Sequence, residues 1–284
     1  MGWRRSICNL AGLAWSLSAL INMPLMAQTI SGVPTNAKVI VKESPLAALH
    51  LAALQSGNAF LSDDLRRMQA DASLNPVQLW VDQGEKLWGT SPQTGFCFSC
   101  HGDVQKLRGV ASRYPQWSDK KQGLVNLEDQ ILTCTQRTNA PQISLENPDV
   151  LALSAVLHAA SSGLSFQLEP LQKNKDQWQN ALTSGAQLFT TRTGRMNLAC
   201  THCHDQLIGK QMRADVISPG HPTGFPIFKM SWQSMGSIDR RLRACFSGVQ
   251  AEVPTPGSQS LRQLELYLKV RAQSLPIDGP ALRR

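Results

Sequence analysis

The runs Cys97-Phe98-Ser99-Cys100-His101 and Cys200-Thr201-His202-Cys203-His204 stand 103 residues apart in a chain of 284 residues. No other feature constrains the fold as tightly. Each is a C-x-x-C-H run, in which two thiols can form thioethers to the vinyl groups of a porphyrin while the adjacent His reaches the iron as proximal ligand. One such run alone would read as readily as a zinc or redox CxxC. Two of them, in a chain with seven cysteines in all, point to two covalently bound c-type haems. Cys97 and Cys100 would anchor the first and Cys200 and Cys203 the second, with His101 and His204 as their proximal axial ligands.

The chain opens like a secretory signal. Arg4 and Arg5 form a positive start, the stretch from Ile7 to Ile21 is mostly apolar, and Leu25-Met26-Ala27 offers a small-residue cleavage site before Gln28. The apolar stretch is short of the roughly 20 residues a membrane span needs. The expectation is therefore a signal peptide over 1–27 and a mature protein in the periplasm with no membrane span. Export suits covalent haem attachment, which takes place on reduced thiols after translocation. Cys8 leaves with the signal, so Cys134 and Cys245 remain outside the haem motifs. The formal charge of +8 falls to +6 without Arg4 and Arg5. Two ferric haems and two thiolate ligands would bring the mature holoprotein to about +2. Lys and Arg are dispersed rather than clustered with aromatics, which argues against nucleic-acid binding.

Aligning the haem motifs exposes an internal repeat. Gly84-Glu85-Lys86-Leu87-Trp88 precedes the first motif and Gly185-Ala186-Gln187-Leu188-Phe189 the second. Downstream, the segment from Asn126 to Cys134 lines up with that from Ser237 to Cys245. Each half then closes on an amphipathic pattern, Val150, Leu153 and Leu157 in one and Leu261, Leu264 and Leu268 in the other. Asn147-Pro148 and Gly257-Ser258 supply the helix starts. The order helix, CxxCH, loops, Cys-bearing helix, final helix is that of a small cytochrome c domain. The predicted fold is all-α, with two tandem cytochrome c-like domains at 76–168 and 169–284 behind an N-terminal arm at 28–75. The arm has helical stretches around Leu46–Leu54 and Ser62–Ala72. A linker is expected between Gly163 and Lys175, where apolar periodicity breaks and Pro170 intervenes.

The sixth iron ligand is harder to read. No Met lies between His101 and Met196, so the first half offers Cys134, with His158 as the weaker candidate. The second half offers Met212, Met230, Met235, His221 and Cys245. The repeat places Cys245 opposite Cys134, which favours one solution for both halves, a His/Cys-thiolate pair. The competing reading is a Cys134–Cys245 disulfide, usual for leftover cysteines of an exported protein. It would need the two Cα atoms within about 7 Å, although equivalent positions should each face their own haem. Thiolate ligation should lower both potentials, because the anionic sulfur favours ferric iron.

The halves differ four residues before each of these cysteines. Gln130 precedes Cys134, and Arg241 precedes Cys245 on the same helical face. A guanidinium beside a thiolate favours the anionic sulfur and offers a fork for a sulfonate-type oxyanion. A propionate partner is the plainer role for Arg241. On this difference the chemistry is expected at Cys245, and the first haem is expected to be structural or auxiliary.

The run His221-Pro222-Thr223-Gly224-Phe225-Pro226, through Trp232-Gln233, Gly236-Ser237 and Arg240-Arg241-Leu242-Arg243-Ala244-Cys245 to Val249-Gln250-Ala251-Glu252, resembles the SoxA family. The tail with Leu264-Glu265-Leu266-Tyr267-Leu268, Arg271, Leu275-Pro276-Ile277 and Arg283-Arg284 also fits. Gln250 departs from it, since many members carry Arg there. The resemblance implies an L-cysteine S-thiosulfotransferase, the haem-bearing catalytic subunit of the SoxAX cytochrome of sulfur oxidation. Such a subunit joins thiosulfate to a cysteine of the SoxYZ carrier and passes two electrons to a monohaem SoxX-type cytochrome in a heterodimer. Carried over, Cys245 is the axial ligand and persulfide-forming catalytic residue, Arg241 binds substrate, and His204 is the proximal ligand. A thiosulfate dehydrogenase and a plain dihaem electron carrier are the alternatives.

Overall fold

The computed structural model describes residues 54–89, 96–135, 144–169 and 172–284. The signal segment and the arm helix expected around Leu46–Leu54 fall outside these residues, Leu54 apart. Helices dominate. Helix α1 (Asp63–Ala70) lies in the arm; α2 (Val77–Trp88), α3 (Phe96–His101), α4 (Leu127–Thr135) and α5 (Pro148–Ala160) follow. Then come α6 (Lys175–Thr190), α7 (Cys200–His204), α8 (Ile238–Gly248) and α9 (Gln259–Arg271).

Three of these helices, α1, α5 and α8, start on a side-chain cap, whereas Ser258 precedes α9 without capping it. Asn147 accepts the Asp149 N–H at 2.9 Å ahead of Pro148, so α5 begins where its first orphan amides are satisfied. Ser237 caps α8 by accepting the Arg240 N–H at 3.1 Å. The half-buried Glu146 bonds the same hydroxyl from the first half. Burial foremost raises the Glu146 carboxyl above its ordinary range. Ser62 caps α1 in the same way, so the helix expected over Ser62–Ala72 forms as Asp63–Ala70.

Two helix crossings repeat each other. Gly84 of α2 lies against α5, where an added Cβ would fall 2.2 Å from Ala152 O. Gly185 of α6 lies against α9, where a Cβ would fall 2.1 Å from Gln263 O. Only a glycine lets the two backbones approach so closely. The hairpins repeat as well. Strands β1 (Gln116–Ser118) and β2 (Gly123–Val125) pair antiparallel through a turn with Gln122 at φ 48°. A minor ribbon, β3 (Gln211–Met212) and β4 (Asp215–Val216), follows α7. Strands β5 (Ile227–Lys229) and β6 (Ser234–Gly236) then pair through Gln233 at φ 51°. The second hairpin gains a partner that the first lacks among the described residues, the parallel strand β7 (Ala281–Arg283).

The halves share their cores. Trp88, Leu127, Ile131, Val150, Leu153 and Leu157 fill the first half. Phe189, Leu264, Tyr267 and Leu268 fill the second. Leu124 of the first half is buried with Ala181, Leu266 and Ile277 of the second. The segment expected to link the halves is itself packed: Phe166 and Leu168 are buried in that shared cluster, and the Gly163 and Ile277 amides donate to Ile277 O and Leu164 O. The arm is stapled to the second half. Leu65 packs with Met235 and Leu282, Gln69 Oε1 accepts the Leu282 N–H at 2.8 Å, and Ser56 bonds Asp278.

A buried polar network runs between the halves. Arg262 of α9 is fully buried and bidentate on Asp129 of α4, at 2.6 and 3.1 Å, and reaches Asp239 of α8 at 3.0 Å. Beside it, Asn126 Nδ2 donates to Glu265 at 3.1 Å, Lys269 pairs with Glu265 at 2.9 Å, and Ser154 donates to Glu128 at 2.7 Å. One guanidinium thus ties together the two helices that carry Cys134 and Cys245.

Candidate haem and anion site

The second CxxCH run forms the short helix α7. His202 turns back on the chain, its Nδ1 accepting the Ala199 N–H at 3.0 Å, so it is spent on the helix start. His204 does the opposite. Its Nδ1 lies 2.7 Å from Ser218 O, and because a carbonyl only accepts, Nδ1 carries the proton and Nε2 is left as the ligand atom. The backbone passes beside this ring at Gly220, whose φ is +76° and where a Cβ would come 3.0 Å from His204 Nδ1.

Cys245 on α8 faces that imidazole. Burial alone would push its thiol up, but the hydrogen bond with His204 and the charges of Arg241 and Lys229 outweigh it, and the thiol is held below its ordinary value. Cys200 goes the other way, raised to about 11 by burial and then by the nearby Cys245. The anionic form is thus favoured at the thiol opposite His204 and disfavoured at Cys200. Among the described residues no three His, Cys, Asp or Glu side chains converge as a zinc ion requires. Two thiols on one helix, an imidazole with Nδ1 occupied, and a facing thiol are the donor set of a c-type haem with two axial ligands. The residues fit the group.

The first site is built alike but furnished differently. In α3, Cys97, Cys100 and His101 follow the same spacing. Trp88 stacks near His101, with ring centroids 6.0 Å apart, and donates its Nε1–H to Gly102 O at 2.8 Å. Burial and then the charges of Cys134 and Cys100 raise Cys97, which places Cys134 at this site. Gln130 Nε2 donates to Cys134 Sγ at 3.6 Å.

All six described cysteines are free thiols, so Cys134 and Cys245 are not bridged. His158 is buried in α5 with Nδ1 2.9 Å from Ser154 O. It faces the polar network between the halves, and burial first and Lys269 second hold it near a pKa of about 3. Met235 is fully buried in the core, Met212 is half exposed, and His221 Nδ1 bonds Gln55 O at 2.8 Å.

Three arginines closely precede Cys245 in sequence, and structure separates them. Arg240 stacks on Trp232, 4.2 Å from the ring centroid, and donates to Ser234 at 3.0 Å. Arg243 donates to Pro254 O at 3.0 Å. Arg241, among the described residues, has no carboxylate within ion-pair distance and acts on Cys245 through its charge. Lys229 carries no sequence signal of a site role and Arg283 only its place in the SoxA-like tail; the β5–β7 ladder pairs the two from 54 residues apart. Only their basic character was legible, and no short motif joins them.

An all-α chain with two CxxCH helices, each facing a helix-borne cysteine, defines a c-type cytochrome. A family model described as the SoxA/TsdA cytochrome c domain matches residues 83–166. The SoxA subunit of L-cysteine S-thiosulfotransferase from Pseudaminobacter salicylatoxidans is 31% identical over 233 residues, covering 81% of this chain and 80% of that one. That of Rhodovulum sulfidophilum is 28% identical over 254 residues, covering 86% of each. The crystal structure of SoxXA from P. pantotrophus superposes with a TM-score of 0.72 at 25% identity, covering 81% of this chain and 86% of that one. The chain belongs to the SoxA family. No helix among the described residues is long and apolar enough to cross a membrane.

Proposed function

We propose that the chain is the catalytic subunit of an L-cysteine S-thiosulfotransferase, a periplasmic dihaem cytochrome that joins thiosulfate to a cysteine of the SoxYZ carrier. It would work as a heterodimer with a SoxX-type cytochrome. The observation that carries this reading is the contrast between the two cysteines. Cys245 is a depressed thiol beside Arg241, which has no carboxylate partner among the described residues, whereas Cys134 meets the neutral amide of Gln130. The second half, 169–284, is then the reacting half, and the first, 76–168, holds an auxiliary haem. The arm 28–75 follows a signal peptide over 1–27.

The reaction balances as an oxidation. A carrier thiolate and the outer sulfur of thiosulfate form one sulfur–sulfur bond, giving a cysteine S-thiosulfonate, and two electrons leave for SoxX. Haem, when bound by Cys200, Cys203, His204 and Cys245 in this half and by Cys97, Cys100, His101 and Cys134 in the other, supplies the electron-accepting centres. Cys245 holds the sulfur being transferred, as a persulfide in the working cycle. Arg241 stabilises the sulfonate charge where water is partly excluded. Gly220 and Ser218 keep His204 in one ring orientation, so the thiol opposite has a fixed target.

The test is turnover of the SoxX complex with thiosulfate and SoxYZ. Arg241→Gln should lose most activity while both haems stay attached; wild-type turnover would sink the assignment. Because the matching family model spans SoxA and TsdA, the same assay is run without carrier. Tetrathionate formed from thiosulfate alone would favour a dehydrogenase instead.

A further inference from the structure

The repeat sets two acidic residues at one position, six before the facing cysteine: Glu128 ahead of Cys134 and Asp239 ahead of Cys245. Both are buried in the network between the halves. Their partners differ. Asp239 lies 3.0 Å from the Arg262 guanidinium and accepts the Gly257 N–H at 2.9 Å. Glu128 accepts the Ser154 hydroxyl at 2.7 Å and has no cation within ion-pair distance among the described residues.

The same alignment explains the difference. Ser154 and His158 of α5 stand where α9 carries Glu265 and Lys269. The first half thus offers Glu128 a hydroxyl and an imidazole where the second holds an ion pair closed at 2.9 Å. The imidazole brings no charge at neutral pH: His158 Nδ1 donates to Ser154 O at 2.9 Å, and burial first and Lys269 second lower its pKa to about 3.

The charges around Glu128 do not balance. Asp129, Asp239 and Glu265 set three carboxylates against the two cations Arg262 and Lys269 before Glu128 is counted. A buried carboxylate without a cation is destabilising, and such a group takes up a proton instead. Burial first, and the charge of Glu265 second, raise the Glu128 carboxyl above its ordinary 4.5, while the Ser154 hydroxyl and then Lys269 favour its anion. Helix α4 joins this carboxyl to the first site. Six residues at about 1.5 Å each place Cys134 about 9 Å further along the axis. Buried charges at that range are screened little by salt, so an electron added at the site strengthens proton binding by the carboxyl.

We propose that Glu128 is a proton-binding site coupled to reduction of the first haem. This rests on the reading that Cys97, Cys100, His101 and Cys134 hold that haem. One electron passes from the reductant to the ferric iron, and one proton passes from solvent to Glu128, where an O–H bond forms. The net charge of the region stays constant, and oxidation returns both.

The experiment is a redox titration of the full dihaem chain, in complex with its partner cytochrome, against a low-potential chemical reductant at a series of pH values. Paramagnetic resonance of the ferric forms tells the haems apart. The midpoint of the first haem should fall as pH rises through a window above 4.5. The slope should approach a tenfold change in equilibrium constant per pH unit, about 59 mV for one electron. Glu128→Gln should flatten that dependence with both haems attached, and Glu128→Asp should restore it. Ser154→Ala, which removes a donor to the anion, should move the window to higher pH. In the wild-type protein the reduced-minus-oxidised infrared spectrum should gain the carbonyl stretch of a protonated carboxylic acid, a readout that needs no variant to fold. A wild-type slope in Glu128→Gln overturns the site and leaves the proton on a haem propionate. A slope lost in His158→Gln, or confined to the second haem, overturns it in favour of His158 or Asp239. The ferric spectrum reads the ligands separately, and a first haem without thiolate ligation would sink the ligand assignment whatever the slope.

Discussion

Arg262 and Asp129 form a bidentate ion pair across 133 residues of chain, with guanidinium nitrogens at 2.6 and 3.1 Å from the carboxylate oxygens. The same guanidinium holds Asp239 at 3.0 Å. Helices α4 and α8, which carry the two facing cysteines, are therefore tied to one another by one buried cation, in addition to the packing each makes in its own half.

Removing that cation should be costly. Arg262→Met keeps much of the volume but strands two carboxylates, and breaking a buried pair costs about 3–5 kcal/mol. The urea midpoint of the holoprotein should fall accordingly, and an unchanged midpoint would show that solvent reaches the network.

The two glycine crossings should respond alike. Gly84→Ala and Gly185→Ala each place a Cβ against a backbone carbonyl, at 2.2 and 2.1 Å. Overpacking of this kind costs about 1–3 kcal/mol. Thermal unfolding should show similar losses for both, and a neutral result in one half would break the structural equivalence.

Acid should weaken the fold through His158. Its pKa falls from 6.5 to about 3 on folding, by burial and then the charge of Lys269. Between those values the unfolded chain binds the extra proton, so the stabilisation is complete above pH 6.5 and is lost as pH falls towards 3. Glu128, raised by burial and then by Glu265, works in the opposite sense above its ordinary 4.5. His158→Gln should therefore flatten the acid side of the stability profile by up to a few kcal/mol. Parallel profiles for wild type and variant would refute this.

At the first site the Gln130 amide donates to Cys134 Sγ at 3.6 Å. A hydrogen bond to an axial sulfur draws off charge and raises the potential. Gln130→Leu should make the midpoint of one haem more negative by tens of millivolts, in keeping with a bond of about 1 kcal/mol. Carrier-dependent turnover should stay near wild type, and a potential that does not move would detach Gln130 from the ligand.

Much of this was legible in the sequence because it depends on local spacing. The CxxCH runs, the cap at Asn147, the repeat of Gly84 and Gly185, and the four-residue offset between Arg241 and Cys245 lie within one helical turn or one alignable segment. Charge alone did not separate Arg240, Arg241 and Arg243. Trp232 and Pro254 occupy two of them, and both contacts are made by the folded backbone. Lys229 and Arg283 meet only because β7 adds to the second hairpin in parallel, and Arg262 reaches Asp129 only because the halves share a core. The sequence by itself determined the class of protein, the candidate haem anchors and the pair of candidate thiolates, since covalent chemistry and helix periodicity act over short range. Tertiary structure decided which cations remain without carboxylate partners around Cys245, because a buried charge is defined by everything the chain folds against it.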